Sequence, residues 1–230
     1  MEFTPFDKRG YPVVPARTGY GEWADSYEAT VAAGLDEVLL PALKSVDWRS
    51  VRAAADLACG TGRTGAWLAR SGVRAIDGID LTPEMQAIAQ QKNVYRRLAI
   101  ADVANTGLAA GAYDLCTMSL ADEHLAELGP VYREAARLLS AGGVFLLLGY
   151  HPFFLMNGVP THYNGRDGKP ITIQSYVHLF SEHFAAGGEA GLALAEFREC
   201  VIDEEWLKTK PKWRQYLHWP VSFAAVWRKA

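Results

Sequence analysis

Three glycines, Gly60, Gly62 and Gly65, fall within six residues and satisfy the spacing GxGxxG. A small-residue run from Val51 to Cys59 precedes them. A helical pattern carrying Trp67 and Leu68 follows from about Arg63. A strand that passes through a glycine turn into a helix brings bare backbone up to a ligand at the helix N-terminus, where N–H groups point outward. The helix carries the chain back along the sheet, so the next strand pairs in parallel. Such a unit requires neighbours of the same kind.

The rest of the sequence supplies them. Val73 to Asp80 reads as a strand. Thr82-Pro83-Glu84 opens a helix, with Thr82 placed to cap it and Pro83 suited to its first turn. Tyr95 to Ile100, ending at Asp102, and Tyr113 to Ser119 read as further strands. Leu128, Val131, Tyr132, Ala135, Leu138 and Leu139 form an apolar helix face, and the glycines of Ala141-Gly142-Gly143 are expected to cap it. Val144 to Tyr150 is a continuous apolar run, as in a strand buried on both faces. Tyr176 to Ala186 reads as a helix that includes His178 and His183. Leu192 to Ile202 and Val221 to Trp227 read as a closing antiparallel pair, with Val221, Phe223, Ala225 and Trp227 on one face. The expected class is α/β: a doubly wound, mostly parallel, seven-stranded sheet with an antiparallel C-terminal strand pair.

Half of the 230 residues are apolar and 21% are charged, which suits one packed domain spanning 1–230. Residues 1–19 read as an irregular arm. Trp23, Tyr27, Val31, Leu35, Val38 and Leu39 then fall at helical spacing, so residues 1–40 are expected to form an arm or lid. Residues 151–175, punctuated by Gly and Pro and rich in aromatics, read as an inserted loop on the substrate side. A net charge of -3 argues against nucleic acid or an anionic membrane as partner. Cys59, Cys116 and Cys200 lack CxxC spacing, so neither a disulfide framework nor a metal site is expected. Met1 to Thr18 has no apolar signal-peptide core, and a cytoplasmic protein is expected, as a monomer or a homodimer.

Asp80 lies 20 residues after Gly60 at a strand end, where a carboxylate can accept both hydroxyls of a ribose. That implies a nucleotide-like cofactor. Asp56, inside the first strand, suits a nearby cationic amino group and would repel a pyrophosphate. Asp102 stands where an acceptor can meet an adenine amino group.

The run Asp56-Leu57-Ala58-Cys59-Gly60-Thr61-Gly62, with Asp80 and Asp102-Val103, resembles the class I S-adenosylmethionine-dependent methyltransferases, which share a Rossmann-like sheet. The small-molecule methyltransferases of the ubiquinone- and biotin-pathway type look nearest. Tyr113-Asp114-Leu115-Cys116-Thr117-Met118-Ser119 is similar to that family's fourth-strand motif, and residues 128–150 to its fifth unit. The resemblance implies that the Cys59, Gly60, Thr61 and Gly62 turn approaches the methionine part of the cofactor, with Asp56 near its amino group. It implies that Asp80 binds the ribose, that Leu81 packs on the adenine, and that Asp102 and Val103 meet the adenine edge. Ser119 and Leu120 would line the methyl end, and Tyr20, Trp23 and Tyr27 would cover the cofactor. S-adenosylhomocysteine would be the product.

His124 and His151 follow the fourth and fifth strands, at the sheet edge where open α/β folds bind ligands. Either can act as a general base for an oxygen nucleophile, or be an ordinary hydrogen-bonded residue. Asp122 and Glu123 can instead hold a cationic substrate. Lys208, Lys210, Lys212 and Arg214 read as a solvated basic face, with contact to an anionic substrate as the alternative. The expected reaction is methyl transfer to a small-molecule acceptor of aromatic or lipophilic character, through oxygen, nitrogen or carbon. The alternatives are an NAD(P)-dependent oxidoreductase and a cofactor-binding protein without turnover. No Tyr has a Lys four residues on, so the YxxxK pair of short-chain dehydrogenases is missing.

Overall fold

The computed structural model describes residues 1–31, 35 and 38–230. After a 3-10 turn come strand β1 (Val13–Val14) and helix α1 (Ala16–Thr30). β2 (Ala53–Leu57) leads through the glycine turn into α2 (Arg63–Arg70), and β3 (Ala75–Asp80) into α3 (Pro83–Gln91). β4 (Arg97–Ile100), β5 (Tyr113–Ser119), α4 (Gly129–Leu138) and β6 (Leu139–Tyr150) follow. Next are α5 (Pro152–Met156), β7 (His162–Asn164), β8 (Pro170–Ile173) and α6 (Phe180–Glu189). The chain closes with β9 (Leu192–Val201), α7 (Glu204–Thr209) and β10 (Pro220–Lys229).

Seven strands form one sheet in the order β4-β3-β2-β5-β6-β10-β9. The strands from β4 to β6 are parallel, and β10 runs antiparallel between β6 and β9. The expected doubly wound sheet and its antiparallel pair are present. After β2 the chain builds outward to β3 and β4, then returns to place β5 on the other side of β2. That reversal opens a crevice at the carboxyl ends of β2 and β5.

The core is two apolar clusters, one on each face of the sheet. β10 is an interior strand with an apolar cluster packed on each of its faces, so both faces are buried. Phe223, Ala225 and Trp227 join one cluster and Val221, Ala224 and Val226 the other. Val221 therefore does not share the face of Phe223, as its spacing suggested. A register shift between Pro220 and Ser222 breaks the alternation there.

Other boundaries also differ from expectation. α1 starts at Ala16, inside the expected arm, and ends at Thr30. Val31 is extended, with ψ 124°, so the apolar spacing through Leu39 does not mark one helix. Within that stretch, 32–34 and 36–37 lie outside the described residues. Thr82 makes no side-chain capping bond; the Thr82 backbone N–H donates to Asp80 instead. α4 ends at Leu138 without a glycine cap, and Gly142-Gly143 fall inside β6, where its pairing with β5 shifts register. His178 precedes α6 and is not part of it.

The expected loop at 151–175 is ordered structure. It contains α5 and the pair β7–β8, and β8 takes β1 as a parallel partner to make a second, three-stranded sheet. Trp23 of α1 stacks on Tyr163 of β7 at 5.6 Å and packs with Ile173 of β8. The N-terminal helix is thereby fastened to the insertion, above the carboxyl edge of the main sheet. Among the described residues, no helix is long and apolar enough to cross a membrane.

Candidate active site

Two cavities lie over the crevice, and they share a wall. The smaller, of about 310 Å³, is lined by the strand ends: Ala58 and Gly60 after β2, Asp80 and Leu81 after β3, Asp102 and Val103 after β4, and Ser119 and Leu120 after β5. Helix α1 closes it with Tyr20 and Tyr27. The larger, of about 450 Å³, extends over the insertion and the segment before β10. Tyr20, Tyr27 and Leu120 line both.

The glycine turn is built for a ligand. Gly60 has φ +52°, a left-handed conformation that most side chains resist, and a Cβ there would meet nothing within 4 Å. The space above it is open. Ala58 and Leu120, at the ends of adjacent strands, also have φ +52° although neither is glycine. Left-handed side chains concentrate at functional sites, where the surrounding structure holds them. Gly65 serves a different need: a Cβ there would fall 2.2 Å from the Tyr95 hydroxyl.

Asp80 anchors the turn. Its Oδ2 accepts from the Gly60 N–H at 2.7 Å and its Oδ1 from the Thr82 N–H at 2.8 Å. Each oxygen keeps further acceptor capacity toward the cavity. Burial, at 7% exposure, raises its pKa, and the backbone donors pull the other way. Leu81 is 46% exposed and presents an apolar surface to the cavity. Asp102 holds the next turn through the Ala104 N–H at 2.8 Å.

Asp56 is not in this cavity. It is buried beneath the turn, where Oδ2 accepts from Tyr95 at 2.7 Å and Oδ1 from Thr117 at 2.8 Å. Burial pushes its pKa up to about 6. The expected contact with a cofactor amino group is corrected to a support under the loop, through Tyr95 and the close approach at Gly65. Cys59, Thr61 and Gly62 are also outside the lining: Cys59 and Thr61 are buried, and Gly62 is the N-cap of α2.

The two histidines separate. His124 lines the smaller cavity. Its Nδ1 lies 2.8 Å from the Gln174 carbonyl, which can only accept, so that nitrogen carries the proton. Nε2 is then an acceptor, and the Tyr20 hydroxyl donates to it at 2.9 Å. Tyr20 is held protonated, its pKa pushed well up by burial and the nearby Tyr27 and Glu123. Glu123 stands 3.7 Å from the same Nε2. His151 lines neither cavity. Its Nδ1 accepts from the Phe153 N–H as the N-cap of α5, and Nε2–H donates to Glu199 at 2.9 Å. Both ring nitrogens are committed to structure, so the geometry corrects the expectation that His151 serves as a base.

Sequence reasoning missed the remaining lining of the smaller cavity: Ala16, Arg17, Thr82, Met85, Ala121, Leu125 and Ala126. Of these, Thr82, Ala121 and Leu125 adjoin recognised positions, and that adjacency was the one available signal.

Residues 55–147 match the family described as Methyltransferase domain. That span holds the glycine turn and the strand ends after β2 to β5. No curated protein matches the sequence. Among solved structures, an S-adenosylmethionine-dependent methyltransferase from Mesorhizobium loti is similar with a TM-score of 0.67 and 21% identity, covering 85% of this chain and 100% of that one. Magnesium protoporphyrin IX methyltransferase from Synechocystis, solved with bound S-adenosylhomocysteine, is similar with a TM-score of 0.56 and 17% identity, over 93% and 84% of the two chains. The [4+2]-cyclase SpnF is similar with a TM-score of 0.64 and 17% identity, over 96% and 98%. These likenesses establish the fold. The cyclase among them is a reminder that reaction and acceptor are argued from the site.

The cofactor that the family match and these structures imply is S-adenosylmethionine, and the smaller cavity fits it. Open space over Gly60, a buried carboxylate with acceptor capacity at Asp80, and the exposed apolar face of Leu81 suit its methionine, ribose and adenine parts in turn.

Proposed function

We propose that this protein transfers a methyl group from S-adenosylmethionine to a small molecule held in the larger cavity. The observation that carries the reading is the shared wall. Tyr20, Tyr27 and Leu120 bound both cavities at the switch point of the sheet, so a ligand in one meets a ligand in the other there. Among the small-molecule methyltransferases, the ubiquinone- and biotin-pathway group remains the reading the sequence favours.

The bound cofactor supplies a methyl carbon made electrophilic by its sulfonium. The chain's own residues supply alignment, exclusion of water and a place for a proton. Asp80, Gly60 and Leu81 fix the cofactor at the strand ends. Tyr20 and Tyr27 on α1 roof it, whereas Trp23, expected to cover the cofactor as well, lines the larger cavity and packs on Tyr163; this supports a lid role for residues 1–40, with 151–175 as the acceptor-side insertion of a single domain. His124 Nε2 is the base: it receives a nucleophile's proton through the Tyr20 hydroxyl that already points at it. Glu123 stands 3.7 Å from the same nitrogen. Of the two histidines expected as candidate bases, His124 takes the role and His151 has no part in it.

The test is calorimetric titration with S-adenosylmethionine, S-adenosylhomocysteine and NAD. Binding of the two sulfur ligands without NAD is the expected result. Binding of NAD alone would make the protein an oxidoreductase. Binding of the sulfur ligands with no turnover across a panel of phenols, amines and carboxylates would make it a cofactor-binding protein.

A further inference from the structure

The larger cavity is electrically lopsided. Arg9, Lys210 and Lys212 all line it, although they come from the N-terminal arm and from the segment between β9 and β10. Among the described residues, none of the three has a carboxylate partner. Arg9 meets the His162 ring at 3.4 Å and the Tyr216 hydroxyl at 3.5 Å, and Lys210 lies 4.2 Å from the centre of the Trp213 ring. His162 cannot neutralise them. Its Nδ1–H donates to the Pro160 carbonyl at 3.0 Å, and burial together with these same cations keeps the ring uncharged. Burial and the neighbouring Lys212 bring Lys210 down to about 8, which leaves it mostly protonated at neutral pH.

Glu123 lines the same cavity and has the opposite character. It is 3% exposed. Oε1 accepts from the Thr161 hydroxyl at 3.2 Å, and the carboxyl shares a side-chain hydrogen bond with the neighbouring Asp122, whose pKa burial and Glu123 push well up. Glu123 is thereby partnered within the chain, beside Tyr20 and His124, and makes no ion pair with the three cations among the described residues. Trp23, Tyr163 and Trp213 supply flat apolar surface to the same cavity.

We propose that the methyl acceptor is an anionic aromatic small molecule, with its carboxylate or phosphate on Arg9, Lys210 and Lys212 and its ring against Trp23, Tyr163 or Trp213. This rests on the methyltransferase reading above. It excludes cationic amines as preferred acceptors and gives the basic segment before β10 a task other than solvation. Three cations on one small anion form charge-assisted hydrogen bonds, which are the strong ones.

The experiment is binding, with the protein first saturated by S-adenosylhomocysteine. The probes are 4-hydroxyphenylacetate, its neutral isostere 4-hydroxyphenylacetamide, tyramine, phenylacetate and phenyl phosphate. The expected order places 4-hydroxyphenylacetate roughly 10- to 100-fold tighter than the amide, with tyramine weakest. Phenyl phosphate against phenylacetate tells which anion the cations suit better. In the Arg9→Gln, Lys210→Gln, Lys212→Gln triple variant the advantage of acid over amide disappears, while S-adenosylhomocysteine affinity is kept, because none of the three lines the cofactor cavity. Equal affinity for acid and amide, failure of the acid to bind, a preference for tyramine, or an acid preference that survives in the triple variant each overturns the proposal with the methyltransferase reading intact. Failure of S-adenosylhomocysteine to bind the wild type overturns that reading, and this proposal falls with it.

Discussion

Two aspartates on neighbouring strands illustrate how differently one residue type is used here. Asp80 faces a cavity and keeps acceptor capacity; Asp56 faces inward and has its oxygens taken by hydroxyls. Asp80→Ala is expected to cost on the order of 1.5–3 kcal/mol of cofactor binding, roughly 10- to 150-fold in S-adenosylhomocysteine affinity by calorimetry, and unchanged affinity would remove it from the site. Asp56 is expected to show in stability. Its folded pKa of about 6 lies above the ordinary 3.8, so the native state takes up a proton that the unfolded chain does not. The sign follows: its contribution is fully present below the unfolded pKa and is lost as pH rises through about 6, on the order of 3 kcal/mol across that window. Urea unfolding at pH 4.5 and 7 should show that loss as a difference between wild type and Asp56→Asn; parallel pH dependence of the two would mean the carboxyl does not titrate there. The sequence displayed Asp80 clearly, because a strand end after a glycine turn leaves a carboxylate one direction to point. It could not distinguish cavity from loop support at Asp56. That depends on Tyr95 and Thr117, 39 and 61 residues away.

Among the elements, the strand–turn–helix units were readable because each combines a periodic apolar pattern with a punctuating residue. β5 falls where its apolar run predicts, Tyr113 to Ser119. The units that escaped are short. β1, β7 and β8 have two, three and four residues, too few to establish a period, and they exist because they pair with one another across a long sequence separation. α1 was misjudged at its C-terminal end for a related reason. Leu35 and Leu39 face apolar surroundings that a helical spacing matches by coincidence. The tightest joint between elements is α2 on the Tyr95 ring. Gly65→Ala is expected to displace Tyr95, break its bond to Asp56 and cost about 1–3 kcal/mol of stability, measured by urea unfolding. A wild-type midpoint would show that Tyr95 moves aside freely. Glu134 is a second element-scale test. It ties α4 to the turn at Thr106 and to Arg137, and these donors hold its pKa down to about 2. A depressed carboxylate stabilises the fold above its unfolded pKa near 4.5 and loses that effect as pH falls toward 2. Glu134→Gln should therefore lower the melting temperature at pH 7 and narrow the gap to wild type as the medium is acidified; a gap that stays constant would mean the charge is immaterial.

At the scale of the whole molecule, the cofactor cavity and the far edge of the sheet are separate regions. Hydrogen exchange with and without S-adenosylhomocysteine should show protection at 58–62, 80–85 and 119–125, which border the smaller cavity, and little change along β9. Uniform protection would mean that the ligand stabilises the fold globally and does not dock at the switch point. The overall architecture was readable because seven apolar runs and their intervening helices leave few right-handed, unknotted arrangements. The second sheet was not, because it joins β1, which precedes the main sheet, to β7 and β8, which are inserted between β6 and β9.

The division between the two cavities has a hereditary consequence. The strand-end lining of the cofactor cavity falls almost wholly within 55–147, the span matched to the methyltransferase domain family. The larger cavity draws chiefly on residues outside it, including Arg9, Trp23, Thr161, Tyr163, Lys210 and Trp213. Point changes in those outlying segments can alter which molecule is accepted while the cofactor's strand-end contacts stay as they are. Descendants of such a chain would keep one chemistry and diverge in diet, and the record of that divergence would be written in the segments outside 55–147, the insertion among them.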